Sequence, residues 1–131
     1  METERNAGSE IVLSSLGHTW ILDLDGTIVK HNGYKLDGED TLLPGTLDFL
    51  KSIPEKDMIV WITSRSSSER ENTELFLALH GIRHEHMIFD APFGERILIN
   101  DDKPSGLAMA MAIRRKRDEW GWLSVKEDAN L

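Results

Sequence analysis

Thr19-Trp20-Ile21-Leu22-Asp23-Leu24-Asp25-Gly26-Thr27 is the stretch on which the reading of the fold turns. An apolar run, Trp20-Ile21-Leu22, delivers two carboxylates, Asp23 and Asp25, with Gly26 and Thr27 directly behind them. Apolar runs bounded by glycine are what a buried parallel strand looks like. A strand ending in Asp-x-Asp-Gly presents two acids where the chain leaves the sheet. Ligands of open α/β sheets bind outside the carboxyl ends of the strands. Two acids are costly to hold together there unless a cation sits with them. The run therefore reads as a metal site with a nucleophile.

Two further runs have the same form. Met58-Ile59-Val60-Trp61-Ile62 ends at Thr63-Ser64-Arg65, and Arg96-Ile97-Leu98-Ile99-Asn100 ends at Asp101-Asp102. A shorter strand is expected at Met87-Ile88-Phe89. Glu10 to Leu16 fits a short strand or a helical turn equally well. Residues 26–44 hold few apolar positions and read as a long excursion beside the site, which in a compact domain is usually functional.

Helices fill the intervals. Pro44-Gly45 opens a short helix through Leu47, Phe49 and Leu50, since proline favours a first helical turn. Ser66, Ser67 and Ser68 are N-cap candidates for a helix that carries Leu75, Phe76, Leu77 and Leu79 to about His80, with Gly81 at its C′ position. Pro104 starts a last helix bearing Leu107, Met109, Ala110 and Ile113, ending in the basic run Arg114-Arg115-Lys116-Arg117. Trp120, Trp122 and Leu123 suggest partial docking of the tail. Strands alternating with helices imply a doubly wound parallel sheet with helices on both faces. Its strand ends gather Asp23/Asp25, Thr63/Ser64 and Asp101/Asp102 on one edge.

Composition narrows the class. The 131 residues suit one domain, with a core at about residues 17–117 and a polar, frayed segment at 1–9. A net charge of −8 argues against nucleic acid or an anionic membrane as partner. There is no cysteine, which excludes disulfides and thiolate zinc sites. No stretch approaches the roughly 20 apolar residues of a membrane span, and the first residues lack signal-peptide order. A cytoplasmic protein is expected.

In this order the three strand ends resemble the haloacid dehalogenase superfamily of phosphatases and phosphotransferases, over about residues 19–113. Asp23-Leu24-Asp25-Gly26-Thr27 matches its first motif, Val60-Trp61-Ile62-Thr63 its second, and Ile97-Leu98-Ile99-Asn100-Asp101-Asp102 its fourth. The resemblance implies a Rossmann-like core, Mg²⁺, and a phosphomonoester substrate, with a sugar phosphate favoured. It implies Asp23 as the nucleophile that forms an aspartyl-phosphate and Asp25 as the proton donor and acceptor. Asp23, the backbone carbonyl of Asp25 and Asp102 would hold the metal, with Asp101 in support. Thr63, with Gly26, Thr27, Ser64 and Arg65 around it, would receive the phosphoryl group.

The third motif departs from the family. A lysine is usual there, yet the chain has none between Ser64 and Asn100. Lys103 is favoured as its replacement because it lies at the strand-end face, with Arg96 expected at the opposite end of its strand. The intervals leave no room for a cap domain, and capless relatives often form homo-oligomers in which a neighbour covers the site. Three rivals stand beside the hydrolase: a phosphotransferase of the same superfamily, a binding or regulatory module on the same fold, and a phospho-accepting domain of the response-regulator type. The order of motifs disfavours the last, since its phosphorylated Asp lies on a middle strand, where this chain has Thr63.

Overall fold

The computed structural model describes residues 8–131. Five strands and three helices are defined among them: β1 (Gly8–Leu13), β2 (Thr19–Leu22), the single turn α1 (Gly33–Leu36), α2 (Thr46–Ser52), β3 (Met58–Ile62), α3 (Arg70–Leu79), β4 (His86–Ile88) and β5 (Trp122–Glu127). A 3₁₀ turn at Ser67–Glu69 leads into α3. The fold is mixed α/β, with every strand pairing parallel.

Two small sheets result. One has the order β2-β3-β4, in which Trp20 registers with Ile59 and Trp61 with Met87. The other pairs β1 with β5, Ile11 beside Val125. The ambiguity at Glu10–Leu16 is thus settled by a distant partner as a strand up to Leu13, with Ser14–Leu16 outside it. Gly8 and Ser9 belong to that strand, which corrects the frayed segment at its last two positions; residues 1–7 lie outside the described residues.

The core follows from the apolar runs. Leu22, Leu24, Ile28, Val29, Phe49, Leu50, Ile59, Trp61 and Leu77 are buried together. Trp120 joins them, its ring 4.9 Å from that of Phe49, which also meets Trp20 edge-on at 5.5 Å. Gly45 takes φ 88 as the N-cap of α2, with Pro44 just ahead of the helix, and Gly81 takes φ 67 after α3 as expected; α3 itself starts at Arg70 with Glu69 at its N-cap. Ser66 caps the 3₁₀ turn, its hydroxyl accepting from Ser68 N–H at 3.2 Å.

Two expected elements are replaced. Arg96–Asn100 is not a strand, and residues 104–117 are not a helix. Ile97, Leu98 and Ile99 are 82%, 55% and 89% exposed. Polar anchors hold this stretch in loops. Arg96 is fastened to the Asp23 region at one end. At the other end Asn100 Nδ2 donates to Met109 O at 3.0 Å, Met109 N–H to Asp102 Oδ1 at 3.3 Å and Lys103 N–H to Leu107 O at 3.0 Å. A strand needs a partner for its backbone, and this run has none among the described residues, where β2 is an edge strand. The described residues thus form two separate small parallel sheets in place of the single doubly wound sheet expected.

The entry to β3 is pinned by Asp57, which is buried. It accepts from His18 N–H at 3.0 Å, from the Trp20 indole at 3.0 Å and from the His18 ring at 3.2 Å. Burial pushes its pKa upward, but these hydrogen bonds outweigh burial and hold it below the usual aspartate value. A depressed folded pKa stabilises the protein above the unfolded value, and that stability disappears as pH falls through the folded value. Asp57→Asn is expected to lower unfolding free energy at pH 7 by about 1–3 kcal/mol. It should also flatten the loss of stability below about pH 4, as read by urea denaturation across pH.

Candidate functional site

The acids of Asp-x-Asp leave β2 in a tight turn. Leu24 O accepts from the N–H groups of Thr27, Ile28 and Val29 at 3.3, 2.9 and 3.1 Å, and Gly26 N–H donates to Val29 O at 2.7 Å. Gly26 takes φ 81, where glycine pays no Cβ penalty. The winding buries Leu24, Ile28 and Val29 and leaves the carboxylates of Asp23 and Asp25 on the other side of the turn.

Asp25 is held by Arg65. Arg65 Nε donates to Asp25 Oδ2 and Nη2 to Oδ1, both at 2.9 Å, a bidentate pair. The same guanidinium donates to Asp40 at 3.1 and 2.7 Å and to Thr73 Oγ1 at 2.9 Å. Its flat face lies 4.0 Å from the Tyr34 ring. The side chain of Arg65 is only 2% exposed. Burial acts to lower its pKa, but the hydrogen bonds and charges of Asp25 and Asp40 outweigh it and raise the pKa.

Asp23 is held differently. Thr27 Oγ1 donates to its Oδ2 at 2.8 Å, and Arg96 Nη1 donates to its Oδ1 at 2.8 Å. Arg96 also donates to Ile62 O at 2.9 Å and to Ser64 Oγ at 3.3 Å. This pair is more open, with Arg96 34% and Asp23 39% exposed at the side chain. Arg96 thus stands at the strand-end face beside Asp23, which corrects its expected place at the far end of a strand. The residue was visible in the sequence as a basic candidate; its position was not, because the strand assumed for it does not form.

Thr63 ends β3 and is buried, its hydroxyl accepting from Arg65 N–H at 3.1 Å. Ser64 faces Pro92 O and Arg96. The structure therefore brings Asp23, Asp25, Gly26, Thr27, Thr63, Ser64 and Arg65 together and adds Arg96, Asp40 and Tyr34. Asp101, Asp102 and Lys103 make their hydrogen bonds within their own loop. No ion pair or hydrogen bond joins them to Asp23 among the described residues.

Magnesium wants near-octahedral oxygen ligands. Each Asp25 oxygen accepts from Arg65, each Asp23 oxygen has its own donor, and Asp102 Oδ1 accepts from Met109 N–H. No group of three or more potential metal-ligating side chains comes together among the described residues. In this arrangement the residues do not fit a magnesium site. What they form is a carboxylate at a strand end paired with a guanidinium, with the hydroxyls of Thr27 and Ser64 around it.

Comparison with family models, curated proteins and solved structures finds no match to the chain. No helix among the described residues is long and apolar enough to cross a membrane.

Two outcomes follow from this geometry. Removing one partner of a buried ion cluster costs about 3–5 kcal/mol, so Arg65→Ala is expected to destabilise by that amount in urea unfolding. Arg65→Lys should recover only a minor part, since an ammonium cannot make the planar fork. Gly26→Ala is expected to cost about 1–2 kcal/mol, the penalty of the left-handed region for a residue with a Cβ, read as a lower midpoint in the same measurement.

Proposed function

We propose that the chain is a phosphomonoester hydrolase in which Asp23 attacks phosphorus. The observation that carries this reading is the Asp23 carboxylate at the end of β2. Thr27 orients one of its oxygens, and the other touches Arg96, a cation placed to meet an arriving phosphate. A carboxylate that forms an acyl-phosphate splits one hard displacement into two easier ones. In the first, the Asp23–phosphorus bond forms and the ester oxygen leaves with its electron pair. In the second, water displaces Asp23 and releases phosphate. Arg96 offsets charge on the phosphoryl oxygens, a task that falls to cations in phosphoryl transfer. Ser64, already within reach of Arg96, adds a hydroxyl.

Asp25 would protonate the leaving oxygen only after exchanging Arg65 for it, because both its oxygens accept from that guanidinium. The finer fold belongs to the same proposal. Ile97-Leu98-Ile99 has the composition of a buried strand, and among the described residues β2 has a free edge. Pairing there would complete a doubly wound sheet and carry Asp101 and Asp102 toward Asp23. Magnesium enters the proposal only with that pairing, and no step above passes through it. We further propose a small phosphorylated substrate, a sugar phosphate foremost, and a cytoplasmic setting, in keeping with a chain that has no cysteine and a net charge of −8.

A binding module is the second reading. It is favoured by one observation: each acid of the Asp-x-Asp pair already has an arginine. Phosphate release from a panel of phosphomonoesters, with and without Mg²⁺, separates the two. The hydrolase is expected to release phosphate and to lose more than about a thousandfold in kcat on Asp23→Asn, the scale seen when a nucleophile is removed. Equal release by parent and Asp23→Asn, or none by the folded parent, leaves the binding module, or a phosphotransferase that needs its acceptor.

A further inference from the structure

The segment just before β5 reaches back to the acid-bearing turn. Asp118 N–H donates to Gly26 O at 2.8 Å, and Asp118 Oδ1 accepts from His31 N–H at 2.7 Å. Asp118 adopts φ 64, a region that a non-glycine residue enters at some cost and that Asp tolerates better than most. Glu119 N–H closes the turn on Lys116 O at 3.0 Å. One strained residue thus clips the turn at 116–119 onto the loop at 26–31.

Arg117 rides in that turn. A methyl group at Gly26 would lie 3.2 Å from Arg117 Cγ and 3.7 Å from His31 Nδ1. The stem of Arg117 therefore packs over Gly26, in the turn that carries both acids, and the His31 ring packs over the same glycine. Arg117 is exposed and makes no ion pair among the described residues, in a chain of net charge −8. A phosphate held at Asp23 and Arg96 makes no use of it. A guanidinium is suited to planar, bidentate recognition of a carboxylate.

We propose that Arg117, with His31 beside it, forms the outer wall of the Asp23 site and selects phosphorylated substrates that carry a second anionic group, a carboxylate foremost. This rests on reading the Asp23 site as a phosphomonoester site. Arg117 is a specificity-determining residue in this account, and the clip at Asp118 is what places it.

Two phosphonates that differ only in a terminal carboxylate test the proposal: propylphosphonate and 3-phosphonopropionate, titrated calorimetrically into the full chain with and without Mg²⁺. The parent is expected to bind 3-phosphonopropionate about tenfold more tightly, an increment within the range of a charge-assisted pair. Arg117→Ala should bind the two alike, Arg117→Lys should retain part of the preference, and Lys116→Ala, in the same turn, should keep it. Equal affinities in the parent, a preference that survives Arg117→Ala, or binding of neither phosphonate overturns the proposal. Phosphonates are not hydrolysed, so failure of turnover removes the hydrolase while this preference stands. Equal affinities remove the preference while the hydrolase stands.

Discussion

The buried guanidinium of Arg65 is the constraint around which the site is arranged. A charge with its side chain 2% exposed has to be matched by charges and hydrogen bonds, or the chain will not bury it. The partners come from distant places: Asp25 from the exit of β2, Asp40 and Tyr34 from the excursion after it, Thr73 from α3. Satisfying one guanidinium therefore fixes three segments at once. The excursion at 26–44 is ordered by it, and by the burial of Ile28 and Val29 at its root. Thr46 adds a tie at the far end, its hydroxyl donating to Leu43 O at 2.7 Å. A long loop of low apolar content holds a definite place beside the acids for these reasons.

Elements whose formation depends on local chemistry were legible in the sequence. β2 and β3 announce themselves as apolar runs bounded by Gly or Pro, and α2 and α3 by proline, serine and glycine at their ends. Elements that depend on a partner were not. Glu10–Leu13 becomes a strand only because β5 lies beside it, and β5 itself carries no strong alternation. Ile97-Leu98-Ile99 is as apolar as β3 yet stays exposed, because the hydrogen bonds of Arg96, Asn100 and Asp102 commit the residues around it elsewhere. A hydrophobic run says that burial is favourable; it does not say that a surface is on offer.

The site divides along the same line. Asp23, Asp25, Thr27, Thr63, Ser64 and Arg65 were legible because two strand ends meet wherever two parallel strands pair, and β2 and β3 do pair. The role of Arg65 was hidden: Thr63-Ser64-Arg65 gives no sign of Asp40 or Thr73, which reach it only through the fold. Arg96 was misplaced because a side chain on a strand has a direction set by the strand, and this one is not on a strand. Freed from that register, it bends back to Asp23.

Burial then decides what each acid of the pair is free to do. Arg65 lies in the interior with Asp25 partly buried against it, so parting the ions leaves the guanidinium charge without water. Arg96 and Asp23 sit at 34% and 39% exposure, where water and salt share the interaction and parting them costs about 0–1 kcal/mol. On the proposed reading, an incoming phosphate dianion would give Arg96 a partner with more charge than the carboxylate it leaves. The exchange would uncover Asp23 Oδ1 while Thr27 still orients Oδ2. Asp25 has no such exchange on offer while Arg65 stays buried. Under the proposed hydrolase reading, the chemistry of the pair would belong to Asp23, and Asp25 holds the turn that presents it through its bidentate pair with Arg65.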